Sequence, residues 1–296
     1  MFYHTLCLSG GGLRGITQLM LINSLEKNDI LILKKINKFV GTSVGAIISF
    51  LYILKYSTKN IIKILLKISD QNSQDDVNLN NLEKYYGINN GGYFIETFTK
   101  LLYLKLKVTD ITFKQLYKIT GKKLLIIGYN LTKNKEVVFS YRTTPNLSVL
   151  VGLKISCTIP FYFYPYKIKN DIFLDGALIN NFPIKYCNLS YTLGIYIWYP
   201  INMDNFNMCT YIYTVLAILG NRFTKVVTHN NIIRIVDNKD DAPSLFDYSI
   251  QNNFMKLQKK SVDIAMKKIL KKYHFISIII VNRSIKKAFS ELSSAH

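Results

Sequence analysis

YHTLCLSGGGLRGITQLMLINSLEKN, residues 3–28, predicts a strand, a glycine turn and a helix in direct succession. An apolar run ends in three consecutive glycines, and apolar side chains then recur at helical spacing, at positions 16, 19, 20, 22 and 25. The pattern repeats at once, since INKFVGTS (36–43) is typical of a strand and VGAIISFLYILKY (44–56) of a buried helix. This βαβα order predicts an α/β fold, with a mainly parallel central sheet covered on both faces.

The rest of the chain continues this architecture. Residues 57–120 are mostly helical in pattern, broken by polar stretches at 70–81 and 89–92, and we interpret them as a cap or insertion on the sheet. Strands are predicted at 123–131, 135–141, 169–178, 191–199 and 231–237, and helices at 145–156 (with Asn146 as N-cap), near 208–228 and at 252–273. We find no linker or repeat, which predicts one domain over residues 1–275 and a C-terminal extension of unclear structure over 276–296.

The composition is that of a globular, strongly basic protein. Of 296 residues, 49% are hydrophobic and 19% charged, which is enough apolar material for a core. The net charge of +20 attracts phosphates, either on anionic lipid headgroups or on nucleic acid. Lysines are dispersed and arginines are few, although arginine is the usual reader of base edges. We therefore expect an anionic membrane surface as a partner and no specific nucleic acid.

Cysteines and hydrophobic runs constrain the environment of the chain. The four cysteines are scattered without a C-x-x-C pair, so neither a zinc site nor a disulfide framework is predicted. We expect no metal and no cofactor. The N-terminus lacks the features of a signal peptide, and no apolar run reaches the roughly 18 residues that span a bilayer. These observations predict a cytoplasmic protein that acts at the periphery of membranes.

GTSVG, residues 41–45, lies between a predicted strand and a predicted helix. In that context G-x-S-x-G indicates a nucleophile elbow, a sharp turn that exposes a serine hydroxyl at its tip. Gly41 and Gly45 would remove side chains that collide in the turn, and the helix N-terminus would favour negative charge near Ser43. An ordinary strand–helix turn with a serine N-cap and no catalytic role fits the same residues about equally well.

A serine nucleophile needs a base, and histidine is its usual partner. The chain has four histidines, and none lies in a recognisable motif: His4, His229, His274 and His296. The DGA tripeptide at 175–177 is a better candidate, because Asp175 ends an apolar strand, where sites in α/β folds gather. A partly desolvated carboxylate can accept a hydroxyl proton, and Gly176 would allow a close turn. Alone, the tripeptide fits an ordinary turn cap better.

The glycines at 10–12 allow three interpretations. A phosphate loop is excluded because no Lys-Ser/Thr pair follows, and a dinucleotide site lacks a well-placed acidic residue. An oxyanion hole fits better, since consecutive glycine amides at a helix N-terminus can point at one oxygen. Gly10, Gly11 and Gly12 are therefore the candidate oxyanion donors.

GGGLRG (10–15), GTSVG (41–45) and DGA (175–177), in this order, resemble the three motifs of the patatin-like phospholipase family. The sequence from 124 to 166 and the continuation DGALINNFP are also similar to that family, and the resemblance is clear to about residue 200. The resemblance implies a three-layer α/β/α fold and a Ser43–Asp175 dyad in place of a triad. It also implies that the amides of the glycine loop hold the oxyanion, with Gly11 and Gly12 favoured. It implies a lipid acyl hydrolase of the phospholipase A type, acting on phospholipid or another acyl lipid.

Several alternatives stay open beside this reading. The same dyad serves lysophospholipases, triacylglycerol lipases, thioesterases and transacylases, and a non-catalytic lipid-binding module is a weaker alternative. Arg14 and Gly15 support the glycine motif; Arg14 either orders the loop, which we favour, or faces a lipid phosphate.

Overall fold

A computed structural model describes residues 3–74, 80–198, 229–236 and 259–270. Strands alternate with helices along the first part of these residues, as the period of the apolar residues predicts. The described strands are β1 (Thr5–Leu8), β2 (Lys38–Thr42), β3 (Gly87–Asn89), β4 (Lys123–Asn130), β5 (Lys135–Ser140), β6 (Phe161–Phe163), β7 (Tyr166–Ile168), β8 (Asp171–Asp175), β9 (Thr192–Trp198) and β10 (Ile232–Val236).

The central sheet is mainly parallel, which confirms the predicted class. Its order is β10-β9-β1-β2-β4-β8-β7, with β5 paired to β4. Strands β10, β9, β1, β2 and β4 run parallel. Strands β5 and β8 pair antiparallel with opposite sides of β4, and β7 pairs antiparallel with β8. The carboxyl ends of β1 and β2 therefore lie side by side at one edge, where ligand sites of such sheets form.

Helices cover the sheet and complete the layers. The described helices are α1 (Gly15–Lys27), α2 (Val44–Ile53), α3 (Thr58–Gln74), α4 (Asn80–Tyr85), α5 (Gly92–Leu106), α6 (Phe113–Thr120), α7 (Val149–Ser156) and α8 (Ala177–Asn180). Residues 259–270 are also helical. None of the helices in the described ranges is long and apolar enough to cross a bilayer.

The two faces of the sheet carry separate apolar cores. Leu6 and Leu8 of β1 point into the larger core, which also takes the apolar faces of α1, α2, α3, α5 and α7. The intervening Cys7 points to the opposite face, where it packs with Phe182 and Tyr196 beneath the segment that follows α8. This alternation is the period of a strand buried on both sides, and it confirms the α/β/α layering.

Several local details differ from the sequence interpretation. Asn146 does not cap α7; the cap is Ser148, whose hydroxyl accepts the amides of Leu150 and Val151 at 3.2 and 3.4 Å. Asn146 instead lies in a turn closed by the Leu147 amide on Thr144. Helix α3 continues to Gln74, into the polar stretch, and the segment before α5 contains the short strand β3.

Some predictions fall on residues that the structure does not describe. The predicted helix near 208–228, most of the predicted helix at 252–273 and the extension at 276–296 lie outside the described ranges. The proposed domain boundary at residue 275 lies there too. Among the described cysteines, Cys7, Cys157 and Cys187 are free thiols.

Candidate active site

Ser43 lies at the sharp turn between β2 and α2, as the elbow motif predicts. Its backbone has φ 53° and ψ −125°, a conformation that costs a non-glycine residue on the order of 1–3 kcal/mol. A Cβ at Gly41 would collide with the backbone of Gly45, and one at Gly45 would come within 2.5 Å of the Leu8 carbonyl oxygen. The two glycines therefore let the strand, the turn and the helix pack closely enough to form the elbow.

A hydrogen-bond relay holds this strained turn from below. The Ser43 amide donates to the Ser156 hydroxyl at 2.9 Å, and that hydroxyl donates to the Ile127 carbonyl at 2.6 Å. Both serines are buried, and Ser156 is the last residue of α7. Because a buried amide without a partner costs about 1–3 kcal/mol, Ser156 stabilises the elbow and links it to β4.

Asp175 ends β8 beside the elbow, with only 4% of its surface exposed. Burial raises the pKa of Asp175 to about 7, although the hydrogen bond from the Ala177 amide and the nearby Ser43 hydroxyl lower it. The Ala177 amide lies 2.8 Å from Oδ1, and the Asp175 amide donates to the Thr158 carbonyl at 2.8 Å. The structure thus places the serine hydroxyl beside a buried carboxyl group whose pKa is raised toward neutral pH.

Cys157 is a neighbour of this pair that sequence analysis did not identify. Burial, followed by the charge of Asp175, raises the pKa of the thiol far above its usual range, although the nearby Ser43 side chain lowers it. The thiol is therefore neutral beside the serine. Residues 156–158, at the end of α7, contact both Ser43 and Asp175. In the sequence they are marked only by the run SCTIP at the end of an apolar helix.

The glycine loop follows β1 and faces the elbow. An added Cβ at Gly10 would lie 3.3 Å from the Ser43 Cβ, so the loop passes directly beside the serine. The Gly10 amide already donates to the Asn181 carbonyl at 3.0 Å. Gly12 has φ 56°, a left-handed conformation that favours glycine, and it begins the turn that leads into α1. Within the described chain, the amides of Gly11 and Gly12 have no backbone carbonyl partner.

The supporting residues of the three motifs occupy packing positions. Arg14 is buried, and its amide donates to the Gly11 carbonyl at 3.1 Å. A Cβ at Gly15 would reach the Val44 side chain, and one at Gly176 would collide with the Ile127 carbonyl. The burial of Arg14 favours a role in ordering the loop over contact with a lipid phosphate.

The segment after Asp175 is hydrogen-bonded to both the elbow and the glycine loop. The sequence DGALINNFP did not indicate that its two asparagines, Asn180 and Asn181, make these contacts. The Thr42 hydroxyl donates to the Asn180 carbonyl at 2.9 Å, beside the bond from Gly10 to Asn181. The Asn180 side chain donates to Glu136 at 3.2 Å, and Lys185 pairs with the same carboxylate at 2.8 Å. Strand β5 therefore anchors the segment that orients both the elbow and the glycine loop.

The described histidines lie away from this edge of the sheet. His4 is exposed before β1, with its ring 5.8 Å from that of Tyr191, and His229 precedes β10. Both therefore lie at the amino ends of parallel strands, whereas Ser43 follows a carboxyl end. His274 and His296 lie outside the described residues.

The chain belongs to the patatin-like phospholipase family, whose model matches residues 6–187. The match contains the glycine loop, the elbow and the DGA tripeptide. A relative named Probable lipid hydrolase 463L, of Invertebrate iridescent virus 6, is 39% identical over 191 residues, which are 62% of this chain and 62% of that protein. The chain is therefore a member of a lipid hydrolase family, as the motifs imply.

More distant similarities agree on the fold. Triacylglycerol lipase 3 of Saccharomyces cerevisiae is 27% identical over 52% of this chain and 25% of its own length. The crystal structure of VipD from Legionella pneumophila superimposes with a TM-score of 0.52 at 16% identity, covering 90% of this chain and 67% of that one. The matches span less than two thirds of the length of the first curated relatives.

Proposed function

We propose that this protein is a serine lipid acyl hydrolase of the phospholipase A type, with Ser43 as nucleophile and Asp175 as base. One observation carries the proposal: the hydroxyl of a strained, buried serine lies close enough to a buried carboxyl group to affect its pKa, which burial raises to about 7. A general base is most effective when its pKa lies near the working pH. Family membership supports the lipid substrate.

The reaction proceeds in two halves. The Ser43 Oγ attacks the carbonyl carbon of a fatty-acyl ester while Asp175 takes the hydroxyl proton. The resulting oxyanion accepts hydrogen bonds from the amides of Gly11 and Gly12, since the Gly10 amide is committed to Asn181. Collapse breaks the ester bond, and the departing alcohol, a lysolipid, leaves with the proton from Asp175.

Water completes the cycle. Asp175, again ionised, takes a proton from a water molecule that attacks the acyl–serine ester. The second tetrahedral intermediate uses the same two amides, and its collapse returns the proton to Ser43 and releases the fatty acid. The neutral thiol of Cys157 packs beside Ser43 without a charge that would compete for the proton.

The decisive experiment compares two buried serines of one turn and helix. Ser43→Ala should abolish fatty-acid release from phospholipid vesicles, by at least about 1,000-fold, because the nucleophile is removed. Ser49→Ala is the matched control, since the Ser49 hydroxyl donates only to the Gly45 carbonyl, at 2.7 Å, within α2. A fluorophosphonate probe should label the wild type and Ser49→Ala but not Ser43→Ala. Retained hydrolysis in Ser43→Ala would refute the proposal.

Substrate panels must determine which acyl donor and which acyl acceptor the enzyme prefers. Two relatives carry the names triacylglycerol lipase and omega-hydroxyceramide transacylase, the latter from Mus musculus at 22% identity. The same acyl-enzyme could pass its acyl group to a lipid hydroxyl in place of water. Phospholipid, lysophospholipid, triacylglycerol and acyl thioester should be compared, with and without an added alcohol acceptor. We expect phospholipid hydrolysis to be fastest.

The membrane is the proposed location of the reaction. A net charge of +20 attracts anionic headgroups, at roughly 1 kcal/mol for each well-placed basic side chain. Vesicle binding should therefore weaken as salt is added, and binding that is insensitive to salt would contradict this part of the proposal.

A further inference from the structure

Four large apolar or aromatic side chains form an exposed strip beside the two-stranded pair β3–β6. Their exposed fractions are 36% for Leu82, 39% for Tyr85, 64% for Tyr86 and 52% for Phe161. We refer to these four residues as the aromatic ridge. They belong together in space because the residue after Tyr86, Gly87, is paired with Phe161 in the register of the two strands.

The backbone holds two of these rings outward at a cost. Tyr86 has φ 60° and Phe161 has φ 65°, in the left-handed region that bulky residues avoid. Such a conformation is strained for these bulky residues, and glycine or asparagine would adopt it more easily. Burial does not compensate this cost, since both rings are more than half exposed. Strained backbone of this kind is concentrated at functional positions.

The ridge is connected to the candidate active site through the start of β6. Phe161 follows closely after Thr158, whose carbonyl accepts the Asp175 amide at 2.8 Å. The pair β3–β6 is tight, since a Cβ at Gly87 would lie 2.5 Å from the Phe163 backbone. Tyr85 also stacks on Tyr164 with ring centroids 4.8 Å apart. A ligand surface at the ridge would therefore lie next to the strand that leads into the site.

The local charge indicates how the ridge would contact a lipid surface. Helix α4 carries one cation and one anion, Lys84 and Glu83, so the ridge itself is neutral. The Lys84 ammonium lies 4.9 Å from the centroid of the Tyr85 ring. Tyrosine and lysine beside apolar groups suit the headgroup region of a bilayer, where the rings are half immersed. The net charge of +20 belongs to the rest of the chain and complements anionic lipid.

We infer that the aromatic ridge is the surface that inserts into the lipid interface and sets the active site against the membrane. This inference rests on the proposed function, because that function places the substrate in a bilayer. Long-range attraction by the lysines brings the protein to the surface, and the ridge then supplies apolar contact that salt does not screen.

Vesicle sedimentation tests the ridge without catalysis. In a Ser43→Ala background, Tyr86→Asn with Phe161→Asn should lower partitioning by about tenfold, on phosphatidylcholine vesicles and on mixtures with phosphatidylserine. Asparagine tolerates the left-handed backbone, so these variants should fold, which thermal unfolding checks. Tyr191→Asn is the matched control: Tyr191 is 53% exposed but precedes β9, at the opposite edge of the sheet. It should partition like the parent.

A fluorescence reporter gives a second, independent measurement. Tyr86→Trp should show a blue shift and protection from a soluble quencher when phosphatidylcholine vesicles are added, whereas Tyr191→Trp should show neither. Unchanged partitioning of the ridge variant, an equal loss in Tyr191→Asn, or a loss that added salt abolishes would each overturn the inference. Because vesicle binding is measured in the inactive Ser43→Ala background, a result against the ridge does not depend on whether Ser43 is the nucleophile.

Discussion

The elbow and the aromatic ridge both contain backbone in the left-handed region, but their surroundings are opposite. Ser43 has φ 53° with 7% of its surface exposed, and Tyr86 has φ 60° with 64% exposed. At the elbow, the amide of the strained residue donates to Ser156, and glycines admit close packing on both sides. At the ridge, the ring meets solvent. The strained backbone at the buried elbow is thus held by hydrogen bonds that fix a reactive group. The strained backbone at the exposed ridge presents a side chain that we infer contacts the lipid surface.

The largest expected effect is at the buried site, where one substitution should lower activity and raise stability. Asp175→Asn should lower ester hydrolysis by at least about 1,000-fold, because the base is lost. The same change should raise the free energy of unfolding at pH 8, by on the order of 2–4 kcal/mol, since a buried carboxylate is no longer ionised. Hydrolysis assays and denaturant unfolding measure the two effects.

The sign of the stability effect fixes its pH dependence. An acid whose folded pKa is raised, here from 3.8 to about 7, destabilises the fold progressively as pH rises between those values. Below about pH 4 the Asp175 carboxyl is protonated in both the folded and the unfolded state, so Asp175→Asn gains no stability from the removal of a charge. The advantage of Asp175→Asn over the wild type should therefore grow from about pH 4 to pH 7 and then stay constant. A constant difference across this range would contradict the assignment of the raised pKa.

Ser156→Ala tests the relay beneath the elbow and should have the next largest effect. It leaves the buried Ser43 amide and Ile127 carbonyl without their shared partner, at a cost of about 1–3 kcal/mol in stability. A loosened elbow should lower kcat by about 10- to 100-fold with KM nearly unchanged, since the substrate pocket is intact. Fluorophosphonate labelling of Ser43 should slow in parallel.

A matched control distinguishes positioning from general destabilisation. Ser49→Ala removes a buried hydroxyl whose acceptor, the Gly45 carbonyl, lies within the same helix. We expect a small loss of stability and unchanged labelling. Ser156→Thr keeps the hydroxyl and should recover part of the rate. Equal slowing in Ser49→Ala and Ser156→Ala would show that the relay has no specific role.

The pH dependence of the wild-type reaction is the next smaller effect. Because the base acts only when ionised, kcat/KM should rise through about pH 7 and level off above it, with a roughly tenfold loss one pH unit below the pKa. The described histidines lie away from Ser43, so we expect one acidic limb. A soluble short-chain ester separates this profile from vesicle binding. A flat profile between pH 5 and pH 8 would contradict Asp175 as the base.

The sequence predicted the parts of the site that are local in the chain. The glycine loop, the elbow and the DGA tripeptide each lie at a strand end, and the apolar periods around them identify those strands. Ser156 was missed because its contact with Ser43 joins residues 113 positions apart. The pairing of β3 with β6 was missed for a related reason, since strands of three residues leave too little period to recognise. Asn146 was chosen as a cap where Ser148 serves, because both residue types favour that position.

The smallest expected effect is on the stability of the aromatic ridge and follows from its backbone strain alone. If the ridge holds Tyr86 against its backbone preference, Tyr86→Asn should leave the free energy of unfolding unchanged or raise it by about 0.5–1 kcal/mol. An exposed aromatic without strain, such as Tyr191, should show no such gain. Denaturant unfolding of both variants in the absence of lipid makes the measurement. A clear loss of stability in Tyr86→Asn would mean that the ring is kept for packing, and the contrast between buried and displayed strain would then fail at the ridge.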